Sequence, residues 1–187
     1  MERRVLKYEL SGEPSEEEVR EALEKLPEWR RKKALSYRRP LDRFLCAKAL
    51  LLLADALEAK AEELAEFEYG PAGKPRLKGM EGIHFSLSHC PACVCCVMAD
   101  EPVGIDVELI QWDEDLAKET MNRRELSEIE AAAAEFTKFW TMKESLLKLT
   151  GQGISDNLKD VLQGCGAKFE TDICEDKGYI ITVATKI

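Results

Sequence analysis

The run Val103-Gly104-Ile105-Asp106-Val107-Glu108, with Phe139-Trp140-Thr141-Met142-Lys143-Glu144-Ser145-Leu146-Leu147-Lys148 downstream, constrains this chain most. In a β-strand side chains alternate between faces, so Asp106 and Glu108 share one face and Ile105 and Val107 the other. Gly104 lies on the carboxylate face, where its missing side chain lets something approach the backbone. The later segment reads as a helix in which Trp140, Glu144 and Lys148 recur every four residues and share a face. If helix and strand pack together, three carboxylates and a lysine converge. Three such charges repel unless protons or a divalent cation hold them, and an all-oxygen set suits Mg²⁺. The alternative reading is a polar strand face beside an exposed helical glutamate.

A chain of 187 residues can bury one substantial core, or two small halves sharing an interface. Its charge of −9 argues against general nucleic-acid or anionic-membrane binding, which favour basic surfaces. The positive charge is local, in Arg30-Arg31-Lys32-Lys33, Arg38, Arg39 and Arg43. The most apolar run, around Ala47 to Leu57, contains Lys48 and Asp55 and is too short to span a membrane. No signal peptide follows Met-Glu-Arg-Arg, and an odd count of seven cysteines suits reduced thiols, so the expected location is the cytoplasm.

The expected order starts with a strand at Val5–Leu10 and a helix from Ser15 to about Leu26, opened by a Ser15-x-x-Glu18 capping box. A basic stretch and a long helix, Asp42–Leu64, follow. Tyr69–Pro75 reads as a loop from its Gly and Pro content. Strands are expected at Ile83–Ser88 and Ala92–Ala99, then the carboxylate strand, helical pattern over Leu116–Glu135 and Phe136–Leu149, and a closing hairpin over Lys168–Ile173 and Gly178–Thr185. The order strand, helices, strands occurs twice. The fold class is therefore α+β, with two similar halves, 1–102 and 103–187.

Other motifs carry two readings each. In His84-Phe85-Ser86-Leu87-Ser88-His89, polar and apolar residues alternate. The end at Ser88 and His89 can cradle an anion, or the segment is a surface strand ending at Pro91. Cys90-Pro91-Ala92-Cys93-Val94-Cys95-Cys96 is either half of a zinc or redox site or an apolar core strand, since free cysteine behaves as a small hydrophobe. The basic run is a solvated face, or Arg43 binds phosphate by bidentate hydrogen bonds. Lys74, between Gly73 and Pro75, is held in a loop of restricted conformation.

Together these segments resemble the Sfp-type 4′-phosphopantetheinyl transferases over about residues 30 to 153. The resemblance is carried by Gly73-Lys74-Pro75, Phe85-Ser86-Leu87-Ser88-His89, the Val103–Glu108 strand and the Phe139–Lys148 helix, with 35 residues between Glu108 and Glu144. It implies a pseudo-twofold arrangement of two α/β halves with the active site between them, the second half shortened at its C-terminal end. It also implies Mg²⁺ held by Asp106, Glu108 and Glu144, and coenzyme A as donor. The acceptor would be a serine of an acyl- or peptidyl-carrier protein, and 3′,5′-ADP would leave. By the same resemblance Ser88 and His89 contact the coenzyme A phosphates and Lys148 the pyrophosphate. Lys74 lies near the adenosine, and Arg31 and Arg43 near the 3′-phosphate. Glu144 is the candidate base, with His89 and Lys148 stabilising developing charge. The expected state is a monomer. The competing functions are a Mg²⁺-dependent phosphohydrolase or nuclease, and a non-catalytic cysteine-rich zinc-binding adaptor.

Overall fold

A computed structural model describes residues 2–153 and 158–187. The first strand, β1 (Arg4–Glu9), leads into α1 (Glu16–Glu24), where the expected capping box forms. The Glu18 amide donates to Ser15 Oγ at 3.2 Å, and the Ser15 amide donates to Glu18 Oε2 at 2.8 Å. The basic stretch is itself a helix, α2 (Glu28–Leu35). Next comes α3 (Pro40–Leu57), with proline in its first turn, where no amide donor is needed. It stops seven residues short of the expected Leu64, because Glu58 turns left-handed at φ 55 and the chain continues as a 3-10 turn at Ala61–Glu63.

The expected loop joins a short antiparallel pair, β2 (Phe67–Tyr69) and β3 (Pro75–Leu77). The strands β4 (His84–Cys90) and β5 (Cys93–Ala99) form a hairpin in which Cys90 faces Cys93 across the turn. The carboxylate strand is β6 (Val103–Leu109).

The helical pattern after Leu116 is not continuous but splits into α4 (Glu114–Thr120) and α5 (Arg123–Ile129), ahead of α6 (Ala133–Thr150). Asn122 causes the first break: its Oδ1 accepts from the amides of Arg124 and Glu125 as an N-cap, while Glu125 returns a bond to the Asn122 amide. Gly151, at φ 68, ends α6. The chain closes with β7 (Ala167–Cys174) and β8 (Tyr179–Lys186).

One antiparallel sheet runs β1-β5-β4 and another β6-β8-β7, so each runs first, last, middle in chain order. The fold is α+β. In β5, Val94, Cys96 and Met98 pack toward Phe44, Leu50 and Leu53 of α3. Its other face, Cys93, Cys95, Val97 and Ala99, packs with Ile105 and Val107 of β6 and Ile181 and Val183 of β8. Both faces of β5 are thus covered, which explains its unbroken apolar run. The far face of the second sheet receives α6.

This packing settles the cysteines. Cys90, Cys93, Cys95 and Cys96 are buried free thiols. Burial pushes Cys93 and Cys96 up to about 12, and Cys95 well above its ordinary value, so the thiolate that binds zinc is disfavoured. No helix among the described residues is long and apolar enough to cross a membrane.

Candidate active site

On β6 the apolar residues face β5, while Gly104, Asp106 and Glu108 face α6. α6 crosses this face almost in backbone contact. A Cβ placed on Gly104 would stand 2.0 Å from the Ser145 carbonyl oxygen and 2.5 Å from the Leu149 nitrogen. The room that Gly104 leaves is filled by the helix, not by a ligand. Glu144 and Lys148 are thereby held over Asp106.

β4 supplies the other wall. The Ser86 hydroxyl accepts from the Ile105 amide at 3.2 Å, and the Ser88 hydroxyl from the Val107 amide at 3.4 Å. The two hydroxyls stand where a neighbouring strand's carbonyls would satisfy the edge of β6. Both serines are buried, so β4 is not the surface strand that was one reading of its alternation. Ser88 also donates to Asp106 Oδ1 at 2.8 Å. The Lys148 ammonium donates to the same carboxylate oxygen at 2.6 Å and to Ser88 Oγ at 2.9 Å.

Asp106, Glu108, Glu144, Lys148, Ser88 and His89 line one cavity of about 420 Å³, together with Arg30 and Tyr69. Asp106 is only 2% exposed. Burial and the nearby Asp106 charge push Glu108 up to about 7, against a hydrogen bond from Trp140. Burial, then Asp106, also raises Glu144, which Lys148 partly offsets. Desolvation, then Lys148 and Arg30, hold His89 below the ordinary imidazole value, although the residue is exposed.

Among the described residues no three His, Cys, Asp or Glu side chains stand ready-grouped around a metal position. Lys148 neutralises Asp106 instead. Two oxygens, Asp106 Oδ2 and Glu144 Oε1, are nonetheless buried without a hydrogen bond among those residues. Buried acceptors left unsatisfied beside carboxylates of raised pKa fit a hard cation with oxygen ligands.

The remaining expected site residues lie elsewhere. Lys74 lines an adjoining cavity of about 220 Å³ that shares Glu144 and Lys148 with the first. Its ammonium is bound to two backbone carbonyls, of Val103 and Leu149. Arg31 and Arg43 are not brought to the carboxylates. They line a third cavity, with Arg20 and Glu16 of α1. The Arg31 guanidinium is occupied by the carbonyls of Leu23, Glu24 and Leu26 near the end of α1, and Arg43 Nε by Tyr37 O. The arginine that reaches the carboxylate cavity is Arg30, one residue earlier on α2, anchored to Cys46 O and lying 5.6 Å over the Phe67 ring. Helical phase separates the two. Ser86 and Trp140 were also not singled out as site residues, though Ser86 belongs to the serine alternation and Trp140 to the Glu144 face.

Lys143, next to Glu144, points the other way and is wholly buried. Its ammonium meets Glu125 at 2.9 Å and the carbonyls of Leu158 and Lys159 at 2.8 and 3.2 Å, tying α6 to the cap of α5. Lys143→Met strands a buried carboxylate, so the expected loss is ~3 kcal/mol. At ~2–4 °C per kcal/mol for a chain of this size, thermal denaturation should show a fall of roughly 10 °C.

The 4′-phosphopantetheinyl transferase superfamily model matches residues 102–183, which span the carboxylate strand, α6 and the closing hairpin. That match covers less than half of the chain. A 4′-phosphopantetheinyl transferase of Bacillus subtilis is 30% identical over 114 residues, covering 57% of this chain and 51% of the relative. The transferase psf-1 of Bacillus pumilus is 38% identical over 98 residues, 49% of this chain and 42% of the relative. The transferase Sfp of Bacillus subtilis strain 168 is 33% identical over 89 residues, 44% and 40%. The chain matches about half the length of these curated relatives or less.

Proposed function

We propose that this protein transfers the 4′-phosphopantetheine group of coenzyme A to a serine hydroxyl of an acyl- or peptidyl-carrier protein, releasing 3′,5′-ADP in a Mg²⁺-dependent reaction. The observation that carries this reading is the Asp106–Ser88–Lys148 cluster, with Glu108 and Glu144 beside it, on a cavity walled by both β4 and β6. In this reading 1–102 and 103–187 are two halves related by a pseudo-twofold, with the site between them. The shared first-last-middle strand order supports it.

Asp106, Glu108 and Glu144 would hold the Mg²⁺, and the two orphaned oxygens support that assignment. When bound, Mg²⁺ neutralises pyrophosphate oxygens and the charge that grows on the departing nucleotide. Lys148, at the cavity wall, turns its ammonium to the pyrophosphate. His89 donates a hydrogen bond to a phosphate oxygen. Ser88 orients Asp106 and Lys148 together. Arg30, rather than Arg31, offers guanidinium charge to the donor's phosphates. A serine hydroxyl must lose its proton during attack, and Glu144, whose Oε1 is buried without a hydrogen bond among the described residues, is the candidate acceptor.

Intact-mass measurement tests the proposal directly. An apo carrier protein incubated with the enzyme, coenzyme A and Mg²⁺ should gain about 340 Da, the mass of the group added covalently. No gain on fatty-acid, polyketide and peptide carriers, where one of the Bacillus transferases works, would reject it. Hydrolysis of coenzyme A without carrier modification would favour a phosphohydrolase.

A further inference from the structure

We propose that Lys74 is a positioning residue, whose ammonium clamps the first residue of β6 to the C-terminal end of α6 and so sets where Glu144 and Lys148 stand over Asp106. Its effect on turnover rests on the transferase reading; the clamp itself does not.

Lys74 lies in the turn between β2 and β3, closed by the Gly70 amide on Lys74 O and the Gly73 amide on Gly70 O, both at 2.9 Å. From there its side chain donates to Val103 O at 3.0 Å and to Leu149 O at 3.2 Å. Val103 opens the carboxylate strand, three residues before Asp106. Leu149 follows Lys148 directly, in the last turn of α6, where carbonyls have no partner within the helix. A cation there satisfies an orphaned acceptor and suits the negative end of the helix dipole.

The loop is seated closely on that helix end. A Cβ on Gly151 would lie 3.3 Å from Lys74 Cδ, and one on Gly153 would lie 3.2 Å from Ala72 Cβ. Burial, with the nearby Arg76 acting in the same direction, lowers the Lys74 pKa to about 8. An amino group held on two carbonyls in a shielded place is spent on structure rather than offered to a phosphate. The short lysine–aspartate contact at the site depends on how α6 lies on β6, and Lys74 joins those two elements directly.

The test compares Lys74→Met with wild type by hydrogen exchange, coenzyme A saturation kinetics and thermal unfolding. The clamp predicts amide exchange from Leu147 to Gly151 faster by roughly tenfold or more, from the loss of hydrogen bonds made by a charged donor. It also predicts kcat lower by about 10²-fold with KM for coenzyme A little changed, the mark of displaced catalytic groups. A raised KM with normal kcat and unchanged exchange would overturn the clamp in favour of a direct coenzyme A contact. If wild type itself transfers nothing, the transferase reading fails, while the exchange data still decide the clamp. Should Lys74→Met not fold, Lys74→Gln keeps an N–H donor on a shorter stem. It should show the same faster exchange, and wild-type exchange there would equally overturn the proposal.

Discussion

Asp106→Asn should fold and yet transfer phosphopantetheine at least ~10²-fold more slowly than wild type, the scale of losing one key electrostatic group. Asp106 Oδ1 receives both Ser88 and Lys148, and Oδ2 has no partner among the described residues. The amide keeps the volume of the buried side chain but removes the charge that Lys148 meets and that the proposed Mg²⁺ would share. Lys148 has 29% of its side chain exposed and can swing into the cavity, so the fold tolerates the change. Alanine is the harsher test, because Asp106 is buried and its carboxylate holds both Ser88 and Lys148. With Asp106 neutral, a like charge that pushes Glu108 upward disappears, so Glu108 should titrate below about 7 in the variant. Glu144→Gln tests the other role: a lost proton acceptor predicts ~10²–10⁴-fold slower transfer with coenzyme A affinity kept. Carrier mass-gain rates and calorimetric coenzyme A binding read both variants. Near-normal turnover at saturating Mg²⁺ in both would place the chemistry elsewhere.

The parts of this architecture that follow from side-chain alternation and helical spacing were legible in the sequence. Asp106 and Glu108 had to share a strand face, and Glu144 and Lys148 a helix face. The cysteine-rich β5 was readable as core, and Ser15 with Glu18 as a cap. Other features depend on geometry that residue types do not encode. The pair β2–β3 has three residues per strand, too few for a period to emerge from its Gly and Pro context. The break between α4 and α5 turns on one asparagine cap within an otherwise helical pattern. Whether Arg30 or Arg31 meets the cavity is a question of 100° of helical phase on a basic run where every position looks alike. The partners of Lys74 are backbone carbonyls 29 and 75 residues away, and carbonyls carry no sequence signature. Gly104 was legible as a notch; its occupant, α6, was not.

That occupant gives Gly104→Ala the shortest contacts of any alanine substitution at a glycine of this chain. The added Cβ would meet Ser145 O at 2.0 Å, Leu149 N at 2.5 Å and Leu149 Cα at 3.1 Å. All three are backbone atoms, so no side-chain rotation relieves the contact; helix and strand must separate. Overpacking a core commonly costs ~1–3 kcal/mol, and here the rigidity of both elements puts the expected loss at or above the upper end. With ~2–4 °C per kcal/mol, the melting temperature should fall by roughly 10 °C or more. Any protein that still folds carries α6 displaced from β6, with Lys148 drawn off Asp106 and Leu149 off Lys74. Misplacement by about 1 Å costs on the order of 10²-fold in rate. Gly70→Ala is the control: its backbone is not left-handed, and a Cβ there meets only Lys74 O at 3.7 Å, an ordinary contact. Its stability should stay within about 0.5 kcal/mol of wild type. Calorimetric melting of the two variants side by side decides the matter, and a Gly104→Ala protein as stable as the control would mean that α6 does not rest on the carboxylate strand in solution.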